Sequence, residues 1–576
     1  MIRFPRARRA ALLAAVALAS LVGGAADAQA AYTPTGPLVA DLGFRPAQHA
    51  FSFENYADSD VRGVVNLTPP IVEYYFGRQV CVNRTGPCKL NLLAKQWMDT
   101  ANRDMGGGHC MGFAVTSLLM FAGKLPASAF GAPSTPQLVL PGNTSLQSTI
   151  AATWAIQTFK SVLDRTINGR PSNVLKALIS AINRRTDLYT LGIYQADGSG
   201  HAITPYAVED RGSGRYAILV YDNNFPLEQR ALFIDTRTQR WSYRGGSEPT
   251  DRSALYSGTA TSNTLEISPS YPGLKRQPCP FCKAPRKAGK RAATSAAQAT
   301  TYNEVNLTGN PRNHAHVYLE DPQLRKTGFV SGRFVNKIPG AVIVRPRNTN
   351  NWASAPEPSY RFPASSSFFG QTDIFLDGRG LARRDRESLN LIGPGFGGEA
   401  QFTIRPGQRD QASYRPLDKD NRTGFYYETD TRYPANVDMS LIQEDTYRGH
   451  KVWYLFDITA LEVKHAGPLA LIYDTDSSVM NFYSVDDISG KKLVGNFAVF
   501  VARLTDTGRL TAWYNPRVPM RGGIDVWPRE APSSGRLRID LDKTHRYAKD
   551  VTNQVNAARA GSRRPRGMKI PHVLTG

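Results

Sequence analysis

Residue 187 divides two kinds of chain. Before it, Asn91–Ala101, Cys110–Ala122, Ser145–Ile167 and Pro171–Arg185 place apolar residues at helical spacing. After it, Tyr189–Gln195, His201–Val208, Tyr216–Tyr221, Arg230–Asp235 and Arg240–Tyr243 are short, β-branched or aromatic runs. Turn clusters such as Asp197-Gly198-Ser199-Gly200 and Asp210-Arg211-Gly212-Ser213-Gly214 separate them. Helices followed by an antiparallel meander predict an α+β domain over 31–270. Around the first of these helices, 31–105 reads as a mix of extended segments and turns, Ile71–Phe76 among them. From 304 to 542 short strands and Gly/Pro/Asn/Asp turns recur without a long helical period. That pattern predicts an all-β region, one large sandwich or two smaller ones.

Charge marks the remaining boundaries. The 576-residue chain carries a formal +22, yet 31–270 has 21 basic and 18 acidic residues. The excess sits in a linker and a tail. Residues 275–303 hold seven basic residues and no acid, and 543–576 hold eight against one. Such blocks are usually solvated, so 271–303 reads as a basic linker and 543–576 as a largely disordered basic tail. Both would attract anionic polymers such as those of a cell wall. With no basic recognition helix and no zinc-finger spacing, no specific nucleic-acid partner is expected.

The first thirty residues read as an export signal of bacterial style. Arg3, Arg6, Arg8 and Arg9 precede the apolar run 10–22, and Ala28-Gln29-Ala30 supplies a cleavage site. No later run approaches the ~20 apolar residues of a membrane span, so no transmembrane segment is expected. The mature chain is expected to be secreted, possessing an environment in which cysteines pair. Of five cysteines, Cys81/Cys88 and Cys279/Cys282 are natural local pairs. Cys279-Pro280-Phe281-Cys282 has redox-motif spacing but no βαβ context, which favours a structural disulfide. Cys110 is left over, the mark of a reactive thiol.

Cys110 follows Gly106-Gly107-Gly108-His109 and opens a predicted helix. A helix N-terminus favours a thiolate through its unpaired N–H groups. The base candidate is His201, at the start of a strand. If 201–208 and 215–222 pair around the 210–214 turn, His201 faces Asp222, Ile203 faces Val220 and Ala207 faces Tyr216. A slip of one residue brings Asn223 there instead. An apolar face ending in a His–carboxylate pair suits a base and its orienting group.

Gly107–Ala114, Gly200–Ile203 and Val220–Asn224 together resemble the papain-like cysteine peptidase superfamily over about 40–245. The resemblance implies a papain-like α+β fold, with Cys110 as nucleophile, His201 as general base and acid, and Asp222 as orienting group. It implies a peptide or protein substrate and no metal or organic cofactor. The family's oxyanion Gln is missing from its usual place before the Cys; Gln96 and Asn102 are the substitutes. The leading expectation is a secreted peptidase or amidase working through a thioester. The alternatives are a non-catalytic surface protein on the same scaffold and a transglutaminase-like acyl transferase.

Two other stretches contain metal-ligand residue types. His314-Ala315-His316 shows no third ligand in the sequence and reads as a solvated strand. Asp474-Thr475-Asp476-Ser477-Ser478 lacks the spacing of a calcium loop.

Overall fold

The computed structural model describes residues 32–195, 198–245, 255–283, 302–310, 312–347, 357–363, 372–415, 422–430, 436–463, 468–483, 494–521, 523–530, 537–541, 554–555 and 574. The predicted export signal, most of the basic linker and nearly all of the basic tail lie outside them. What is described is a mixed fold in which antiparallel sheet dominates, with the described α-helices confined to the first 184 residues.

The first half builds one nine-stranded sheet. Its order is Ile167–Asn168, Leu265–Pro269, Tyr189–Tyr194, Gly200–Asp210, Arg215–Tyr221, Arg230–Asp235, Arg240–Arg244, Leu255–Gly258, with Leu38–Asp41 beside Gly200–Asp210. The helix Cys110–Phe121 packs on this sheet, and every residue but its last is buried. Gly112 lets it meet the helix Thr144–Ala155: a Cβ there would stand 2.2 Å from the Ile150 carbonyl oxygen. Asn91 and Asn143 cap the two flanking helices, Leu92–Met105 and Thr144–Ala155, by accepting N–H bonds from Ala94 and Leu146.

Three sequence expectations change here. Residues 69–76 form a helix rather than an extended segment. Pro69 and Pro70 preset the first turn, and Gly77, at φ +79°, ends it. The helix expected over 145–167 stops at Ala155. Phe159 leaves it to pack against Tyr75, Phe76 and Trp97, while Gln157 accepts a hydrogen bond from the Arg347 N–H at 2.8 Å. The 201–222 hairpin has a different register: Thr204 pairs with Tyr221 and Ala207 with Leu219, with an irregularity between Pro205 and Ala207. Proline has no N–H to give the ladder, so the strand bulges there.

Residues 271–283, expected as linker, are folded. Phe281 is buried beside Phe76 and Trp97, and the Gln277 N–H bonds the Tyr75 carbonyl at 2.7 Å. Cys279–Cys282 and Cys81–Cys88 are disulfides with Cα separations of 5.4 and 5.3 Å.

The second half is a pair of ten-stranded antiparallel sheets. Both feed one apolar core: Val305, Leu389 and Leu391 of the first meet Val317, Leu319 and Ile374 of the second. One large sandwich is therefore present. It is docked on the first half by shared apolar burial, with Trp453, Leu455 and Phe500 joining the core of Leu93 and Trp97. Among the described residues no helix is long and apolar enough to cross a membrane.

Candidate active site

Cys110 is the first residue of its helix, and it is the free cysteine among the described residues. Its position is fixed by His109, which points away from it. The His109 N–H donates to Asn55 Oδ1 at 2.6 Å, Nδ1 lies 2.9 Å from the Tyr56 carbonyl, and Nε2 lies 2.8 Å from Asn66 Oδ1. The ring stacks on Tyr56. Burial holds His109 below the ordinary histidine range. It is an anchor for the helix start, with both ring nitrogens engaged.

His201 arrives from the sheet. Its strand, Gly200–Asp210, pairs first with Tyr189–Tyr194 and then with Arg215–Tyr221, so the pairing changes sides just after it. Under the observed register Asp222 is diagonal to His201 on the same face rather than directly opposite, and the side chains still meet. His201 Nε2 lies 2.7 Å from Asp222 Oδ1. With that nitrogen committed, Nδ1 is the atom left for the thiol, which lies close enough for its charge to stabilise the imidazolium. The Ala202 N–H points at Cys110 Sγ from 3.4 Å.

The carboxylate is itself held. Asp222 Oδ1 accepts the Asn224 N–H at 2.9 Å, and Oδ2 accepts the Tyr243 hydroxyl at 2.5 Å. Burial alone would raise Asp222; the His201 charge and these donors outweigh it and hold the acid below its usual range. Burial likewise opposes a charged His201, but the charges of Asp222 and Cys110 dominate and push it up to about 10. Tyr243, kept protonated by burial and by the Asp222 charge, can only donate to that oxygen. Arg230 interacts with Tyr243 from behind. The result is a buried line of groups, hydrogen-bonded from His201 through Asp222 to Tyr243 and electrostatically coupled to Cys110 at one end and Arg230 at the other.

Asn223 plays a different part from the one a register slip would give it. Its amide donates to the Ala202 carbonyl at 2.8 Å and to the Cys110 carbonyl at 3.2 Å, tying the helix start to the histidine strand. Gln96 and Asn102 make their hydrogen bonds elsewhere. Gln96 donates to the carbonyls of Leu391 and Gly398 in the sandwich, and Asn102 clamps the backbone of Leu67 through both ends of its amide. The first-turn N–H groups of the Cys110 helix are the donors that remain for an oxyanion.

Tyr243, Arg230 and the Asn55–Tyr56–Asn66 anchor were not singled out by sequence. Tyr243 sits on a predicted strand, and its only signal would have been the need for a donor to the second oxygen of a buried aspartate.

Cys110, His201 and Asp222 are each 0% exposed. The sandwich contributes to the cover. Phe334 lies against Gly198, the Pro346 carbonyl lies against Gly200, and Gly200 and Arg347 form a parallel bridge. A cleft of about 360 Å³ lies elsewhere on the sheet, lined in part by Arg211, Arg215, Arg240 and Trp241. No family model, curated protein or solved structure matches the chain.

Proposed function

We propose that the chain is an exported cysteine hydrolase of the papain-like kind, a peptidase or amidase acting on a peptide or isopeptide bond. The observation that carries this reading is the buried arrangement in which a helix-opening Cys110, 3.4 Å from the Ala202 N–H, couples electrostatically to His201, whose other nitrogen is 2.7 Å from Asp222. A structural cysteine needs no such partners. The two disulfides are in keeping with an oxidising compartment. The basic stretches would keep the protein beside anionic polymers.

In this reading the Cys110 thiolate adds to the carbonyl carbon, and the oxyanion is held by N–H groups of the helix start. The His201 imidazolium gives its proton to the leaving amine as the C–N bond breaks, leaving a thioester. His201 then takes a proton from water, hydroxide adds to the thioester, and the carboxylic acid departs as the thiolate is restored. Asp222 keeps the ring oriented and the imidazolium stable throughout, without taking the proton.

Full burial of all three side chains favours a second reading, a binding scaffold that retains the network for structure. Release of new amino groups from casein or peptidoglycan stem peptides separates the two, with Cys110→Ala as control. Incorporation of a labelled amine would mark the transglutaminase-like variant. Hydrolysis by the intact chain and none by Cys110→Ala is expected; equal rates in both would overturn the proposal.

A further inference from the structure

At one end of the sandwich, half-buried histidines of one sheet meet buried carboxylates from the other. His314 and His316 have ring centroids 5.3 Å apart. Glu357, which precedes the strand Ser359–Pro363 of the opposite sheet, points Oε2 to within 2.9 Å of His316 Nδ1 and 3.7 Å of His314 Nδ1. One ligand atom from each of the three lies within 4.8 Å of the others. The sequence hid this third residue because it stands 41 residues from His316, just before a strand of the facing sheet.

The surroundings are built to hold these groups in place. The Val317 N–H donates to Glu357 Oε1 at 2.8 Å and the Tyr360 hydroxyl at 2.5 Å, which leaves Oε2 turned toward the histidines. The Ala315 carbonyl, 2.8 Å from His314 Nδ1, fixes that ring. Outer partners of this kind orient ligands at metal sites. Glu387 comes from the strand Asp385–Gly393 and is 2% exposed. The Ala315 N–H binds its Oε1 at 2.7 Å, while its Oε2 is buried with no hydrogen-bond partner among the described residues. Glu387 stands within electrostatic reach of His314 and Glu357.

Two buried carboxylates in one neighbourhood are costly unless something positive accompanies them. We propose that His314, His316 and Glu357 bind a divalent cation of the zinc class, with the unpartnered carboxylate oxygen of Glu387 buried close by and water or a substrate group completing the coordination. Two imidazoles and carboxylate oxygens are a donor set suited to zinc and its late first-row neighbours, whereas calcium and magnesium prefer oxygen alone. Tetrahedral bonds of about 2.0–2.2 Å set neighbouring donor atoms about 3.4 Å apart, a spacing these side chains reach by small adjustments. The His316 side chain is 25% exposed and offers an entry path. An ion here would fasten the two sheets at one end.

The test uses the full mature chain, purified without a polyhistidine tag and carrying Cys110→Ala so that this thiol cannot compete for metal. After loading with zinc and dialysis, one equivalent per chain by elemental mass spectrometry is expected, together with a rise in Tm. Cobalt should give the visible absorption of a four-coordinate ion without sulfur ligands. His316→Ala and Glu357→Gln should lose the metal. Tyr360→Phe, which removes only the hydroxyl steering Glu357, should weaken binding by about 10- to 100-fold. A folded Cys110→Ala chain that retains no zinc overturns the proposal. So does a cobalt spectrum of the six-coordinate aqua ion, or an equivalent of zinc that survives both ligand substitutions.

Discussion

Asp222 is the residue on which the candidate site turns, because it is wholly buried and yet accepts hydrogen bonds from His201, Asn224 and Tyr243. Removing one donor while keeping the ring leaves a buried carboxylate oxygen short of a partner. Tyr243→Phe is therefore expected to lower stability by about 1–3 kcal/mol in urea titrations. It should also slow alkylation of Cys110, since the imidazole would be less firmly held. The raised His201 predicts a pH dependence whose sign follows from linkage. An unfolded histidine titrates near 6.5, while the folded one is held up to about 10. Its contribution is complete below pH 6.5 and is lost as pH rises through 10. Urea titrations between these values should show the chain losing stability, and His201→Gln should flatten that loss. An unchanged slope in His201→Gln would mean that another group titrates there.

The helix Cys110–Phe121 can deliver its cysteine only because Gly112 admits the Ile150 carbonyl. Gly112→Ala is expected to cost about 1–3 kcal/mol, measured by thermal melting, because backbone rather than a flexible side chain must give way. This helix and the five strands after residue 187 were legible in the sequence, since their apolar spacing agrees with the burial they find. The disulfides were legible from spacing and the relay from the leftover Cys110. What the sequence misplaced was set by tertiary contacts. Pro205 shifts the hairpin register, Phe159 and Gln157 leave their helix for distant partners, and Phe281 draws a basic, proline-containing segment into an aromatic cluster. Gln96 illustrates the same limit: its amide belongs to the sandwich, a partner that local pattern does not reveal.

The two halves meet through polar anchors as well as apolar surface. Arg347, 2% exposed, donates to Gln157 Oε1 and Ser268 Oγ and lies 3.5 Å from Glu266. Arg361 bonds Glu304 within the sandwich and the Thr158 carbonyl across the boundary. Arg347→Met, which keeps much of the volume but removes these bonds, should lower stability by about 1–3 kcal/mol. It should also loosen the cover over Gly200, read as faster alkylation of Cys110. The central claim, that Cys110 is an activated nucleophile rather than a buried structural cysteine, is tested most directly by that same reaction. The folded, unreduced mature chain would be treated with a small alkylating reagent at about pH 6, where an ordinary thiol reacts slowly, and the labelled peptide followed over time by mass spectrometry. Rapid labelling confined to Cys110, and strongly slowed in His201→Ala, is the predicted result. A Cys110 that stays unlabelled until the chain is denatured, or one that reacts equally well without His201, would contradict it.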